Sequence, residues 1–458
     1  MRREFSERPL VVALLAMVCG LASTHSPLNL FYIVALAPFL NRTKAWIALG
    51  FGLLAGIVLR PTVEPLVTVP GGAFDGTATM VTTSRPNSRG YTAVVDASGR
   101  RYLLWLGPKE GFTMGDELRI RADVLPFRMP GLSGQGTVAI LRPVRPVERV
   151  QAGPWLWQLG DRLRGSFLEL TARYGRRETT GIVNALCFNV TSGITPVEYE
   201  ALRRSGTVHI VSTSGLHVVI VATALAFALY RVPVARVVKL LVLLALLVLY
   251  AAAAGFRPPI VRAVAMVGVG LAAYLFQREP DGASAIAASG LGYLLWSPSS
   301  INDIGFQLSY VATAGLVLFA PRFDRGVKSL AEYVTRPLLA VVQVSALATV
   351  ASAPLLAYHF GLVSLIGPVS NALIAIPVAI AVIGSLVAWG VSTIWLGLTV
   401  GLLRVVVEPM TGWILFVVGQ TSAMPWSAVE TPRPAEWLIV LVYALFGLLW
   451  RPKLRPAS

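Results

Sequence analysis

Charge is scarce in this chain. Asp, Glu, Lys and Arg make up 14% of its 458 residues, against about 25% in soluble globular domains, which excludes an ordinary soluble fold. Acid is scarcer than base: 23 acidic residues stand against 39 basic ones, a formal net charge of +16. Cysteine occurs only as Cys19 and Cys187, both in apolar surroundings, so neither a disulfide framework nor a cysteine metal site is expected. The four histidines, His25, His209, His217 and His359, are scattered without a His-x-His or His-x-x-Glu-His cluster. That pattern argues against a zinc centre, and no metal, cofactor or catalytic set is expected. No internal repeat is visible, which weighs against a secondary transporter for a small anion.

Apolar sequence is abundant. Hydrophobic residues make up 55% of the chain and the mean hydropathy is +0.67. The expected class is a polytopic α-helical membrane protein of about 11–12 membrane segments, with room for one small aqueous domain. Part of the basic excess is topological, because cytoplasmic loops collect Lys and Arg. The rest suits a polyanionic partner.

Three short apolar runs, near 10–22, 28–40 and 45–59, read as N-terminal membrane segments (residues 1–60). From residue 61 the pattern changes to alternation. In DELRIRADV, residues 116–124, Leu118, Ile120, Ala122 and Val124 interleave with Arg119, Arg121 and Asp123, a strand with one wet face. Strands are also predicted at 75–83, 91–95, 100–106 and 137–141. Five short strands within 61–150 imply a small β-barrel of OB type. Arg100, Arg101, Arg119, Arg121, Tyr102 and Trp105 are its candidate nucleic-acid contacts, since cations and stacking rings bind single strands. The alternative is that the aromatics fill the core and the arginines are solvated. Residues 155–174 form an amphipathic helix suited to a membrane interface. A second helix is predicted at 196–204 with Thr195 as N-cap, giving an interfacial region over 151–205. Nine further spans are expected over 206–458. Loop arginines and lysines then place both termini in the cytoplasm and the barrel outside.

Several apolar stretches carry polar groups that a lipid-facing helix would not. Residues 208–222 hold His209, Ser214, Gly215 and His217. Ser214 and His217 would share a face if the stretch is helical. GFRPPIVR puts Arg257 and Arg262 beside a Pro-Pro break, and arginine forks bind phosphate well. INDIGFQLSY carries Asp303 and Gln307, four apart, with Asn302 a possible helix cap. Asn371 lies in a later polar stretch with His359, Ser364 and Ser370. These groups could converge on a hydrated path. They could equally be packing seams, with the two arginines snorkelling to the surface.

The run YEALRRSGTVHIVSTSGLHVVIVA resembles the SGLH signature of the ComEC competence proteins. GFRPPIVRAVAM, INDIGFQLSYVATAGL and PLLAYHFGLVSLIGPVSN resemble three further segments of that family, in family order over about 199–380. Ser212-Thr213 departs from the more usual Ala-Ile. The resemblance implies an inner-membrane channel that passes single-stranded DNA into the cytoplasm during natural transformation, without catalytic residues of its own. Arg257 and Arg262 would neutralise phosphates, and His217 with Ser214 would line the path. The partners implied are single-stranded DNA, membrane lipid, a separate DNA receptor, a cytoplasmic motor and a separate nuclease, with the oligomeric state open. The fullest members continue into a metallo-β-lactamase-like nuclease domain, whereas this sequence stops at Ser458. An intramembrane enzyme with Ser214 as nucleophile and His217 as base is the alternative from another class.

Overall fold

The computed structural model describes residues 72–126 with short gaps, 137–211, 215–278, 281–319 and 330–449, with a few positions around 11–18. The expected segments at 28–40 and 45–59, most of 10–22, Ser212 to Ser214 and the side chain of Arg100 lie outside the described residues. The chain divides into two compact units. One comprises Leu66–Leu271 with Ser364–Ala428; the other comprises Met1–Pro65, Ala272–Val363 and Val429–Ser458.

The first unit begins with the barrel. Its strands are β1 (Gly72–Met80), β2 (Arg85–Asn87), β3 (Gly90–Ala97), β4 (Arg100–Leu106), β5 (Glu117–Pro126), β6 (Thr137–Pro143) and β7 (Glu148–Gln151). Hydrogen bonding runs β1-β3-β4-β6-β5, and β5 returns to β1, closing five strands. Only β4 and β6 pair in parallel among these five. This is the small β-barrel predicted from the alternation. Alternation also decides its inside: Tyr102, Leu104 and Leu106 of β4 and Leu118, Ile120 and Ala122 of β5 share one buried core. The short strands β2 and β7 lie off the ring, pairing with β3 and β5.

A buried carboxylate joins the barrel to the segment that leads into the first helix. Asp116 is fully buried and accepts hydrogen bonds from Thr113 N and Oγ1 at 2.8 Å each. It also accepts from Gly153 N at 2.7 Å and pairs with Arg149 Nε at 2.9 Å. Asp116→Ala removes four charge-assisted partners and strands a buried N–H, so it is expected to cost about 3 kcal/mol. Thermal unfolding of the purified protein checks this, and a cost below about 1 kcal/mol would make the joint dispensable.

Helix α1 (Trp155–Tyr174) comes next, then α2 (Arg177–Phe188) and α3 (Pro196–Arg204). The buried edge of α1 is Gly160, Phe167 and Thr171. Burial raises the Asp161 carboxyl above its usual range, with Arg164 opposing the rise. Thr195 caps α3 as predicted, and Glu198 completes a capping box with it. Helix α2 was not foreseen, yet it is the most deeply buried of the three, with eight buried residues.

The apolar helices of this unit are α4 (Val208–Val211, a single turn), α5 (Gly215–Tyr230), α6 (Arg236–Ala253) and α7 (Pro258–Leu275). In the other unit, α8 (Gly282–Trp296), a 3-10 turn (Pro298–Asn302), α9 (Ile304–Phe319) and α10 (Leu330–Phe360) succeed one another. The first unit then resumes with α11 (Gly367–Val391) and α12 (Leu396–Leu402). A π-helical turn (Leu403–Val407) leads from α12 into α13 (Glu408–Ser422), and α14 (Glu436–Leu449) returns to the second unit. Among the described residues five helical segments are long and apolar enough to cross a membrane, with three shorter apolar ones beside them.

Candidate nucleic-acid interface

Within the polar stretch 208–222, α4 and α5 are described, and residues 212–214 between them lie outside the described residues. Before this stretch, Gly206 adopts φ +73°, and a Cβ there would meet Ser364 Oγ at 2.7 Å and Gly367 Cα at 2.8 Å. Only glycine lets the start of α11 approach so closely in this conformation. Ser364 Oγ donates to Arg204 O at 2.9 Å, and buried Ser205 and Thr207 hydroxyls meet at 2.7 Å. His209 Nδ1 lies 3.1 Å from the Gly206 carbonyl. Helix α5 then starts at Gly215, and Ser214, just ahead of it, lies outside the described residues.

At this start, Arg262 closes on Gly215, two residues ahead of His217. His217 is fully buried in the first turn of α5. Arg262, on α7 and 8% exposed, brings its Nη2 so close to Gly215 that a Cβ would collide with it. Its Nη1 lies 3.9 Å from Met266 Sδ. A buried guanidinium in an apolar bundle is costly, so it marks a functional position or a tightly satisfied one.

Arg257 stands on the turn between α6 and α7, where Gly255 and Phe256 take positive φ of 79° and 46°. Asn189 ends α2 in the left-handed conformation, φ 58°. With its amide turned to satisfy both neighbours, it donates to Val211 O and accepts from Arg257 Nε, each at 3.2 Å. Asn189 thus ties α2, α4 and the Arg257 turn together, a role sequence reading missed. Its signal was an asparagine just past an apolar run, the usual C-terminal stop. Tyr250 OH donates to Cys187 O at 2.9 Å on the same helix. Burial pushes the Cys187 thiol up to about 12, which removes it as a nucleophile at neutral pH. Asn371 occupies the second turn of α11.

Asp303, Gln307 and His359 belong to the other unit. Asp303 Oδ1 accepts from Phe306 N at 2.9 Å, so Asp303, rather than Asn302, caps α9. Gln307 Nε2 donates to Ile301 O at 2.8 Å, and its Oε1 lies 2.8 Å from His359 Nε2. This polar node joins α9 to the end of α10.

The barrel divides its candidate contacts between two faces. Arg101 and Trp105 are outward on β4, in register with Asp96 and Thr92 of β3. Arg119 and Arg121 are outward on β5, in register with Thr77 and Asp75 of β1, and β6 separates β4 from β5. Arg121 pairs with Asp75 at 3.0 Å. Tyr102 points inward, its ring 5.8 Å from that of Phe74. Another unforeseen group is Glu408, buried at 8% exposure and paired with Arg176 at 3.0 Å. Among the described residues no three His, Cys, Asp or Glu side chains gather as a metal site.

Fold and site together define a polytopic helical membrane protein that carries a closed barrel domain and a band of arginine and histidine within its apolar helices. A model of the Competence protein family matches residues 186–456, and the chain belongs to that family, the ComEC family of the sequence resemblance. It is 32% identical over 211 residues to ComE operon protein 3 of Bacillus subtilis (strain 168), covering 46% of this chain and 26% of the relative. It is 28% identical over 309 residues to competence protein ComA of Neisseria gonorrhoeae, covering 62% of this chain and 42% of the relative. The aligned chain therefore spans less than half the length of either relative. No solved structure matches.

Proposed function

We propose that the protein is an inner-membrane channel that carries single-stranded DNA into the cytoplasm during natural transformation. The observation that carries this reading is buried Arg262 set against the start of α5 at Gly215, with Arg257 on the turn that leads into α7. The two arginines are cations among apolar helices, and the sequence has no acidic residue between Glu200 and Glu279. A lane of cations in a stretch that holds no acid suits a phosphate backbone. Membership of the competence family supports the same reading, as does an OB-like barrel ahead of the helices. The channel role places the barrel on the outer side and both termini in the cytoplasm, in keeping with the loop charges. A receptor and a motor would then be supplied by other chains.

The test is uptake of labelled DNA. A strain lacking this chain is expected to bind DNA at its surface but to leave it entirely nuclease-sensitive; protected label in that strain would remove the channel role. The purified protein in nanodiscs is also expected to bind an oligo-dT strand with an affinity that falls with salt. The slope should be roughly 0.7 log units per decade of salt for each phosphate contact. Arg257→Ala should lower that slope by about one contact, as fluorescence anisotropy across a salt series would show.

A further inference from the structure

Glu408 holds an arginine that the proposed DNA path does not use. Arg176, at the corner between α1 and α2, reaches both oxygens of this buried carboxylate: Nε to Oε2 at 3.0 Å and backbone N to Oε1 at 3.2 Å. One edge of the guanidinium is thereby fixed, while the Arg176 side chain as a whole stays 72% exposed. Arg404 is exposed on the π-helical turn, one turn ahead of Glu408. Such π turns within α-helices are frequent at functional sites. Arg173 and Arg177 flank Arg176 in sequence and are also exposed, so the row is Arg173, Arg176 and Arg177 of the α1–α2 corner together with Arg404.

Depth gives these charges meaning. Leu396–Ser422 is long and apolar enough to cross a membrane, and Glu408 stands about 18 Å from its first residue and about 21 Å from its last. A hydrocarbon core is about 30 Å thick. Exposed guanidinium groups near the middle of such a segment require water or an anion. One carboxylate holds Arg176 in place but leaves the row with net positive charge.

We infer that Arg176 and Arg404, organised by Glu408, form a second anion site whose ligand is the phosphodiester backbone of a nucleic-acid strand. Arginine forks grip phosphate oxygens in pairs, and a pinned guanidinium loses little freedom on binding. The row Arg173, Arg176, Arg177 and Arg404 suits successive phosphates rather than a single small anion. This inference rests on the channel reading and adds a contact to it.

The experiment measures oligo-dT binding by the full chain in zwitterionic nanodiscs across a salt series, with Arg404→Gln beside Arg257→Ala. Arg404→Gln is expected to lower the log–log salt slope by about 0.7 with an unchanged melting temperature. Arg176→Gln strands a buried carboxylate and can fail to fold, so the exposed Arg404 carries the test. If Arg257→Ala lowers the slope and Arg404→Gln does not, the second site is rejected and the channel reading stands. If the wild-type protein shows no salt-dependent binding, both fall. If Arg404→Gln leaves the slope unchanged but releases bound acidic phospholipid, seen by native mass spectrometry, the ligand is a lipid headgroup and the inference is overturned.

Discussion

Gly160→Leu is expected to destabilise the protein by about 3 kcal/mol or more, the upper end of what overpacking costs. A Cβ at Gly160 would lie 2.5 Å from the Ala252 carbonyl carbon and 2.8 Å from both Ala252 O and Ala253 N. These are backbone atoms at the end of α6, so no rotamer change relieves the clash, and α1 must lift from α6. Gly165, five residues along the same helix, has nothing within 4 Å of its would-be Cβ. Gly165→Leu is therefore the matched control, expected within about 0.5 kcal/mol of wild type. Thermal unfolding of both variants in one detergent compares them directly. Equal melting temperatures would mean that α1 is not held by this contact.

Gly215→Ala is expected to separate function from folding. Its Cβ would occupy the position of Arg262 Nη2, the far end of a flexible side chain, so the guanidinium swings aside at little cost. Alanine also favours the helix that starts there. Stability should be close to that of wild type. Uptake of labelled DNA should fall by about 10- to 100-fold, the range given by losing one hydrogen-bonding group to a charged ligand. Gly270→Ala, with nothing within 4 Å, is the control on α7. Normal uptake by Gly215→Ala would show that Arg262 has no fixed position to protect.

What could be read from the sequence was local. Alternation in DELRIRADV told which residues of β5 face inward, and Thr195 as N-cap announced α3. The phase of β4 could also have assigned Tyr102, since it alternates in step with Leu104 and Leu106. What was missed depends on partners far along the chain. Helix α2 reads as an unremarkable mixture of threonine, arginine and small apolar residues, and its burial comes from packing with α11 and the ring of Phe167. Asp116 looks like a turn aspartate until Gly153 is brought to it. Asp303 could have been read as a cap, since it precedes IGFQ at the start of an apolar run.

The Arg176–Glu408 pair spans 232 residues of sequence, and synthesis proceeds at about 5–20 residues per second. The arginine therefore leaves the ribosome some tens of seconds before its carboxylate exists. Throughout that interval α1 and α2 must wait beside the membrane with their basic corner uncovered. Newly made chains should accordingly pass through a long-lived state, open to protease near Arg176, that closes only after α13 is inserted.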